Sequence, residues 1–443
     1  MRIQLSDHFT YARLLRFSFP SMVMMVFTSI YGVVDGLFVS NFVGKGPFAA
    51  INLIMPILMI TGAFGFMMGT GGTAIVAKTL GEGDRRRANE YFSFIVYITM
   101  AVGVAMSALG IILLPTLSRL LGAEGATLEY CISYGRIVLL ALPFFMLENL
   151  FQSLFIAAEK PKLGLYTNII AGVMNMVLDA LFVAVLDLGL EGAAIATGIS
   201  QLVGGVIPII YFARRNDSLL RLTRTRFNGK VLLKSMTNGS SELMSNISSS
   251  IVTVFYNYQL LKFAAEDGVA AYGVIMYVSF IFVAIFIGYS IGTAPIISYH
   301  FGAGSKGELK SLLGKSTVIS FALGGAMTLI CAIFATPLSA IFVSYDAVLL
   351  EMTARGLLIF SFSFLLSGFS IFASSFFTAL NNGPVSAAIS FLRTLVYQLG
   401  GIIILPIFFK LDGIWFSMLA AEALALITTL VFLFAKRKKY GYM

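Results

Sequence analysis

Asp35 lies in Gly32-Val33-Val34-Asp35-Gly36-Leu37-Phe38, inside a stretch from Phe17 to Phe42 that otherwise reads as a membrane-spanning helix. A carboxylate at membrane depth costs a few kcal/mol even on lenient insertion scales, so such a residue marks a function. Asp179 repeats the feature in a second apolar stretch, with Asn175 one helical turn before it and therefore on the same face. Thr197 adds a hydroxyl in a third. Helix rise puts Asp35, Asp179 and Thr197 at a common level, ~10 Å below one membrane surface. Two carboxyls, an amide and a hydroxyl form a hard-oxygen set suited to Na⁺ or to a shared proton.

Other polar residues inside the apolar stretches are less specific. Glu148, Asn149 and Gln152 crowd one segment, with Glu148 and Gln152 on one face; they either line a cavity or hydrogen-bond across helices. Glu242 is near the start of another stretch and either snorkels, caps or serves a site. Arg393 and Glu422 fall at overlapping depths on adjacent antiparallel stretches, as a structural ion pair or as part of a substrate wall. Arg136 and Arg355 read as interface anchors and His300 as incidental. The many Phe and Met side chains suit lipid contact and packing, and an aromatic, Met-containing cavity beside an acid also suits a lipophilic cation.

The elements that must hold these groups are membrane helices. Of 443 residues 58% are hydrophobic and 12% charged, against roughly 25% charged in a soluble domain. Only the bilayer can solvate that much apolar surface. Spans are expected at about 17–42, 48–77, 92–114, 130–157, 164–187, 190–213, 235–261, 269–299, 316–336, 349–380, 384–409 and 412–435. The net charge of +9 does not point to nucleic acid, because the basic residues sit between the spans. Arg2, Arg13, Arg16, Lys78, Arg85 to Arg87, Lys160, Lys162, Arg214, Arg215, Arg221, Arg224, Arg226, Lys230, Lys234, Lys306, Lys310, Lys315 and Lys436 to Lys439 gather on one side. Lys45, Arg119, Lys262 and Lys410 are on the other. The positive-inside rule then predicts both termini in the cytoplasm and an even span count. Met1 to Arg16 lacks the short apolar core of a cleaved signal, so span one is expected to direct targeting. Cys131 and Cys331 have no metal or redox spacing and read as packing residues.

The chain also repeats. Ala49-Ala50 matches Ala270-Ala271, and Gly71, Gly81 and Gly83 match Gly292, Gly302 and Gly304. Gly135 matches Gly356, and Leu190-Glu191-Gly192 matches Leu411-Asp412-Gly413. Every pair is separated by one and the same interval, about half the chain, so no gap is needed to align the halves. The expected fold is an all-α membrane protein of twelve transmembrane helices in two six-helix bundles, related by a pseudo-two-fold along the membrane normal. An N-lobe (1–213), a basic cytoplasmic linker (214–234) and a C-lobe (235–443) follow. No P-loop, zinc-spaced set or nucleophile elbow is present, so no enzyme activity and no cofactor is expected; energy must come from an ion gradient.

With Pro20…Asp35, Gly71…Gly81-Glu82-Gly83 and Asn175-x-x-x-Asp179 on two six-span halves, the chain resembles the MATE (multidrug and toxic compound extrusion) family. It looks closest to the bacterial DinF-like and MepA-like members. The resemblance covers nearly the whole chain and implies a V-shaped pair of bundles in the bacterial cytoplasmic membrane. It implies antiport of organic cations or amphipathic compounds against H⁺ or Na⁺; small molecules and lipid are the expected partners, and nothing requires more than a monomer. It also implies a cation site made of Asp35, Asn175, Asp179 and Thr197, the set that depth and helical face reach separately. One departure concerns the second cation site that some members build in the C-lobe. Glu242 matches its span-seven acid, but span ten offers only Glu351 and Arg355 at its outer edge, so coupling is expected to run through the N-lobe. A lipid-linked oligosaccharide flippase shares this architecture but needs a strongly cationic cavity, for which only Arg136, Arg355 and Arg393 are candidates.

Overall fold

The protein is described by a computed structural model covering residues 3–442, with the side chains of Val33, Gly36, Leu37, Ser40, Asn41 and Lys45 left aside; Arg2 lies outside the described residues. The described residues are helical almost throughout. Twelve α-helical segments follow in order: α1 (Tyr11–Phe38), α2 (Lys45–Gly81), α3 (Arg85–Leu120), α4 (Gly125–Ala157), α5 (Pro161–Asp179), α6 (Gly189–Ala213), α7 (Gly229–Gly302), α8 (Lys306–Val343), α9 (Ala347–Ser361), α10 (Phe364–Ala379), α11 (Gly383–Phe391) and α12 (Gln398–Tyr440). Among the described residues nine helical stretches are long and apolar enough to cross a membrane, or ten if α9 and α10, bent by 47° at their junction, count as one. This is an integral membrane protein.

Segments are not spans, however. At ~1.5 Å per residue α7 would reach ~110 Å, far beyond a ~30 Å hydrocarbon layer. Its backbone leaves helical geometry at Ala264 (φ −144°) and Ala265 (φ 49°). The joined stretch from Gly383 to Tyr440 breaks in the same way at Lys410 (φ 52°). The sequence reading separates these spans at 262–268 and 410–411, close to the observed breaks.

The positive-φ residues carry the repeat into three dimensions. Gly44 and Ala265, Gly83 and Gly304, Glu159 and Asn381, and Asp187 and Lys410 all have φ between 49° and 105°. The members of each pair stand apart by the interval of the sequence repeat, to within two positions. Corresponding turns thus fall at corresponding places although the residue types differ. Helix starts are capped locally: Asp84 Oδ1 accepts from Arg87 N (2.9 Å), Asn228 Oδ1 from Val231 N (3.2 Å) and Asp346 Oδ1 from Val348 N (2.9 Å).

The halves meet through α1, α2 and α7 along a seam that only glycine permits. A Cβ on Gly81 would stand 2.0 Å from the Tyr299 carbonyl oxygen, and one on Gly302 2.0 Å from the Lys78 carbonyl oxygen. The contact is reciprocal, since Lys78 and Tyr299 are themselves equivalent positions of the repeat. Higher up, Gly71 lies against Ser235 and Gly239, and a Cβ on Gly239 would be 1.8 Å from the Met67 carbonyl oxygen. With no hydrophobic effect available between helices in lipid, such close backbone approach is what holds them together.

The Gly81–Gly302 end of the seam is also the basic end, and a strap from the N-terminus closes over it. Leu5 and Phe9 are fully buried. Leu5 N donates to Glu159 Oε1 (2.8 Å) beyond α4, Phe9 N donates to Glu308 Oε1 (3.0 Å) on α8, and the His8 ring shares a 2.7 Å hydrogen bond with Glu308 Oε2. Lys315 donates to the Phe9 carbonyl, and His300, expected to be incidental, lies buried edge-on to the Phe9 ring at 6.4 Å. The segment between α6 and α7 runs along α3. Arg85 donates to the Ser218 and Leu219 carbonyls (2.9 and 3.0 Å), and Lys160 pairs with Asp217 at 2.5 Å. Lys160 holds the Asp217 carboxyl below its ordinary value.

Gly302→Leu is expected to force the seam apart and lower the thermal unfolding midpoint in detergent by several degrees, at an overpacking cost of ~1–3 kcal/mol or more. Gly307→Leu, where a Cβ meets nothing within 4 Å, should leave the midpoint within about a degree. Equal behaviour of the two would contradict the seam.

Candidate functional site

Asp35 is four residues before a π-helical turn, Val39–Val43, and Asp179 immediately precedes another, Ala180–Val185. A π turn widens the helix by one residue and re-aims the side chains beside it, and such turns concentrate at functional sites. α1 runs along α5: Gly172 admits the Phe27 and Tyr31 rings against the α5 backbone, and Thr28 Oγ1 donates to Asn168 Oδ1 at 3.2 Å. That packing brings Asp35 and Asp179 into direct side-chain contact. From α4, Tyr134 stands beside Thr197 of α6 and within electrostatic reach of both carboxyls. Tyr31 is within electrostatic reach of Asp35 and Glu148.

Asp179 is fully buried and Asn175 nearly so. Asp35 Oδ1, both Asp179 carboxyl oxygens, Asn175 Oδ1 and Thr197 Oγ1 have no hydrogen-bond partner among the described residues. Unpartnered buried polar atoms occur elsewhere in the bundle as well, but here five oxygens on four side chains belong to one set with two carboxyls. They fit a hard cation or a proton bridging the carboxyls, because every donor atom is oxygen. Two carboxylates in contact cannot both stay charged and uncompensated. No group of three or more His, Cys, Asp or Glu suited to a metal ion occurs among the described residues.

The other singled-out residues divide into two groups. Glu148, Asn149 and Gln152 are buried on α4, and Gly204 of α6 leaves room for Glu148, whose Cδ would be 2.8 Å from a Cβ there. Glu242 and Arg393 instead line a cavity of about 260 Å³ between α2, α7, α10, α11 and the π turn Leu392–Tyr397. Glu422 is not among its described walls. It is fully buried behind Arg393, whose Nε donates to both carboxylate oxygens (2.9 and 3.0 Å) and whose Nη2 is 2.8 Å from Oε1. Arg393 therefore faces the cavity with its charge already balanced. Among the anchors, Arg355 pairs with Asp412 at 2.5 Å. Sequence reasoning does not single out Tyr31, Tyr134 or the π turns; a phenol in an apolar stretch looks like packing, and nothing local announces a π turn.

Comparison with known proteins agrees with this fold. The family model MatE matches residues 20–181 and 242–403, two blocks in corresponding places of the repeat. The multidrug export protein MepA of Staphylococcus saprophyticus is 24% identical over 435 residues, covering 96% of this chain and 94% of that one. MepA of Staphylococcus haemolyticus is 24% identical with the same coverage. A solved outward-facing multidrug resistance MATE family transporter of the MOP superfamily superposes with a TM-score of 0.92 at 22% identity, over 97% of this chain and 96% of that one. A MOP superfamily transporter from Pyrococcus furiosus, described as having a binding pocket of reversed polarity, gives 0.89 at 22% over 98% and 97%.

Breaking the Arg393–Glu422 pair by Glu422→Gln or Arg393→Met should each cost ~3–5 kcal/mol of stability by stranding a buried charge. The double variant Arg393→Met/Glu422→Met should recover most of that loss in a thermal-unfolding double-mutant cycle. Additive losses would contradict the pairing.

Proposed function

The chain belongs to the MatE family, and from that premise we propose that it is a secondary antiporter. It exports organic cations or amphipathic compounds, such as drugs or metabolites, in exchange for H⁺ or Na⁺ by alternating access. The observation that carries this reading is the contact between Asp35 and Asp179 inside a membrane helix bundle, with Asn175 and Thr197 completing the oxygen set.

In this mechanism the coupling ion is a substrate. When the site opens to the outside, H⁺ or Na⁺ enters between Asp35 and Asp179. Closing the contact draws α1 onto α5, and the π turns at Val39–Val43 and Ala180–Val185 take up the change in helix register. When the ion leaves to the inside, the uncompensated carboxyls favour a state that accepts a cationic compound. Tyr31, within electrostatic reach of both Asp35 and Glu148, would relay the change in charge towards α4.

The same proposal reads α7 and the Gly383–Tyr440 stretch as two spans each and the bent α9–α10 pair as one. That makes twelve spans, divided into an N-lobe (1–213), a linker (214–234) and a C-lobe (235–443). The reciprocal Gly81–Tyr299 and Gly302–Lys78 contacts support a pseudo-two-fold along the membrane normal. By the positive-inside rule the basic end faces the cytoplasm with both termini. The seam and the N-terminal strap are tight at that end, so this is a state closed to the cytoplasm. A monomer suffices for the cycle. A lipid-linked oligosaccharide flippase is not favoured: Arg393, the one guanidinium among the described cavity walls, is neutralised by Glu422.

Export of a fluorescent lipophilic cation from proteoliposomes, under an imposed ΔpH or Na⁺ gradient separately, tests the reading. Flux should follow one gradient and fall at least about tenfold in Asp35→Asn and in Asp179→Asn, with insertion unchanged. Full export by both single variants, or no flux under either gradient, would contradict it.

A further inference from the structure

The cavity that holds Glu242 and Arg393 has an unusual wall. Serine and threonine hydroxyls dominate its polar surface, and most have already committed their protons. Thr70 donates to the Phe66 carbonyl (3.1 Å), Ser249 to Ser245 (2.8 Å), Thr253 to Ser249 (2.9 Å), Ser279 to Ile275 (2.7 Å), Thr378 to Asn238 (3.2 Å) and Thr394 to Ser390 (2.7 Å). A hydroxyl has one proton and two lone pairs. Once the proton goes to the backbone, the oxygen offers a ligand acceptor capacity alone. Thr73, Ser290 and Ser370 keep protons free to turn either way.

The charges agree with this polarity. Among the described walls the charged residues are Glu242 and Arg393, and Arg393 is cancelled by Glu422. Glu242 has no cationic partner among the described residues. Tyr256 and Tyr272, stacked at 4.7 Å, and Phe280 supply aromatic surface. The cavity therefore presents one unpaired carboxyl, a row of acceptor hydroxyls and aromatic faces, beside the remaining N–H groups of Arg393 and the Gln398 amide.

We propose that this cavity is a specificity site for cations that carry N–H donors, primary or secondary ammonium groups on an apolar body, and discriminates against quaternary or phosphonium cations of equal size. Charge and aromatic contact attract both classes. Only an N–H cation can replace its lost water with hydrogen bonds to Glu242 and to the acceptor hydroxyls. A donor-free cation leaves those acceptors facing methyl groups. The inference rests on the export reading above and narrows its substrate class.

The test uses full-length protein in lipid nanodiscs and a matched pair of probes, 2-naphthylmethylammonium and its N,N,N-trimethyl analogue, titrated by calorimetry; the same pair is then followed for export from proteoliposomes. The ammonium should bind about tenfold tighter than the quaternary probe. In Ser279→Ala/Thr394→Val that preference should shrink to about threefold or less, with the quaternary affinity unchanged. Glu242→Gln should weaken both probes. Equal wild-type affinities, a quaternary preference, or a preference untouched by the double variant would overturn the proposal, and the export reading would stand if both probes are still pumped. If neither probe binds or is pumped, the export reading falls with it.

Discussion

Two carboxyl side chains in contact within a lipid-facing helix bundle constrain everything else in this molecule. Asp35 and Asp179 cannot both be charged there without a cation or proton between them, and hydrocarbon offers no water to dilute the repulsion. Asp35 Oδ1 and both Asp179 oxygens, with those of Asn175 and Thr197, find no partner among the described residues. A packing role would be served better by almost any apolar pair. The arrangement makes sense as a site whose stability depends on what enters it. In the proposed cycle, occupancy of that site sets how closely α1 and α5 approach.

A site of this kind can do work only if the scaffold has discrete states. The seam provides rigidity where the halves meet: at Gly81, Gly302, Gly71 and Gly239 the backbones touch with no side chain between them. The strap from Leu5 to Phe9 ties the α4–α5 turn to α8 across the same end. The helices carrying the carboxyls instead contain π turns, which shift register at little cost. In the proposed cycle, stiff contacts at one end hold while the turns near the carboxyls yield.

Much of this is legible in the sequence. Asp35, Asp179 and Thr197 share a depth because helix rise is constant, and the fold brings their neighbourhoods together as depth requires. The glycine spacing announces a repeat, and the backbone breaks at Ala265 and Lys410 fall between the expected spans. What glycine spacing does not show is its partner: Gly81 meets Tyr299 and Gly302 meets Lys78, across the halves, and that information resides in tertiary packing. Arg393 and Glu422 are visible as a pair by depth, yet only side-chain geometry shows that one faces the cavity while the other is hidden behind it. Tyr134 and Tyr31 are invisible among eighteen tyrosines, because proximity to a carboxyl on another helix leaves no local pattern. Five of the six committed hydroxyl protons follow from helix geometry, since those Ser and Thr reach a carbonyl one turn back; Thr378 reaches Asn238 across helices. Their sum around one cavity does not.

The central claim is that ion and exported compound compete through Asp35 and Asp179, and equilibrium linkage tests it without any gradient. The direct measurement is the affinity of the purified protein for one bound cationic compound across a series of pH and Na⁺ concentrations, in wild type and in Asp35→Asn/Asp179→Asn. Wild-type affinity should fall as either H⁺ or Na⁺ rises, and the variant should bind with no dependence on that ion. The same ion dependence in both proteins would contradict the account.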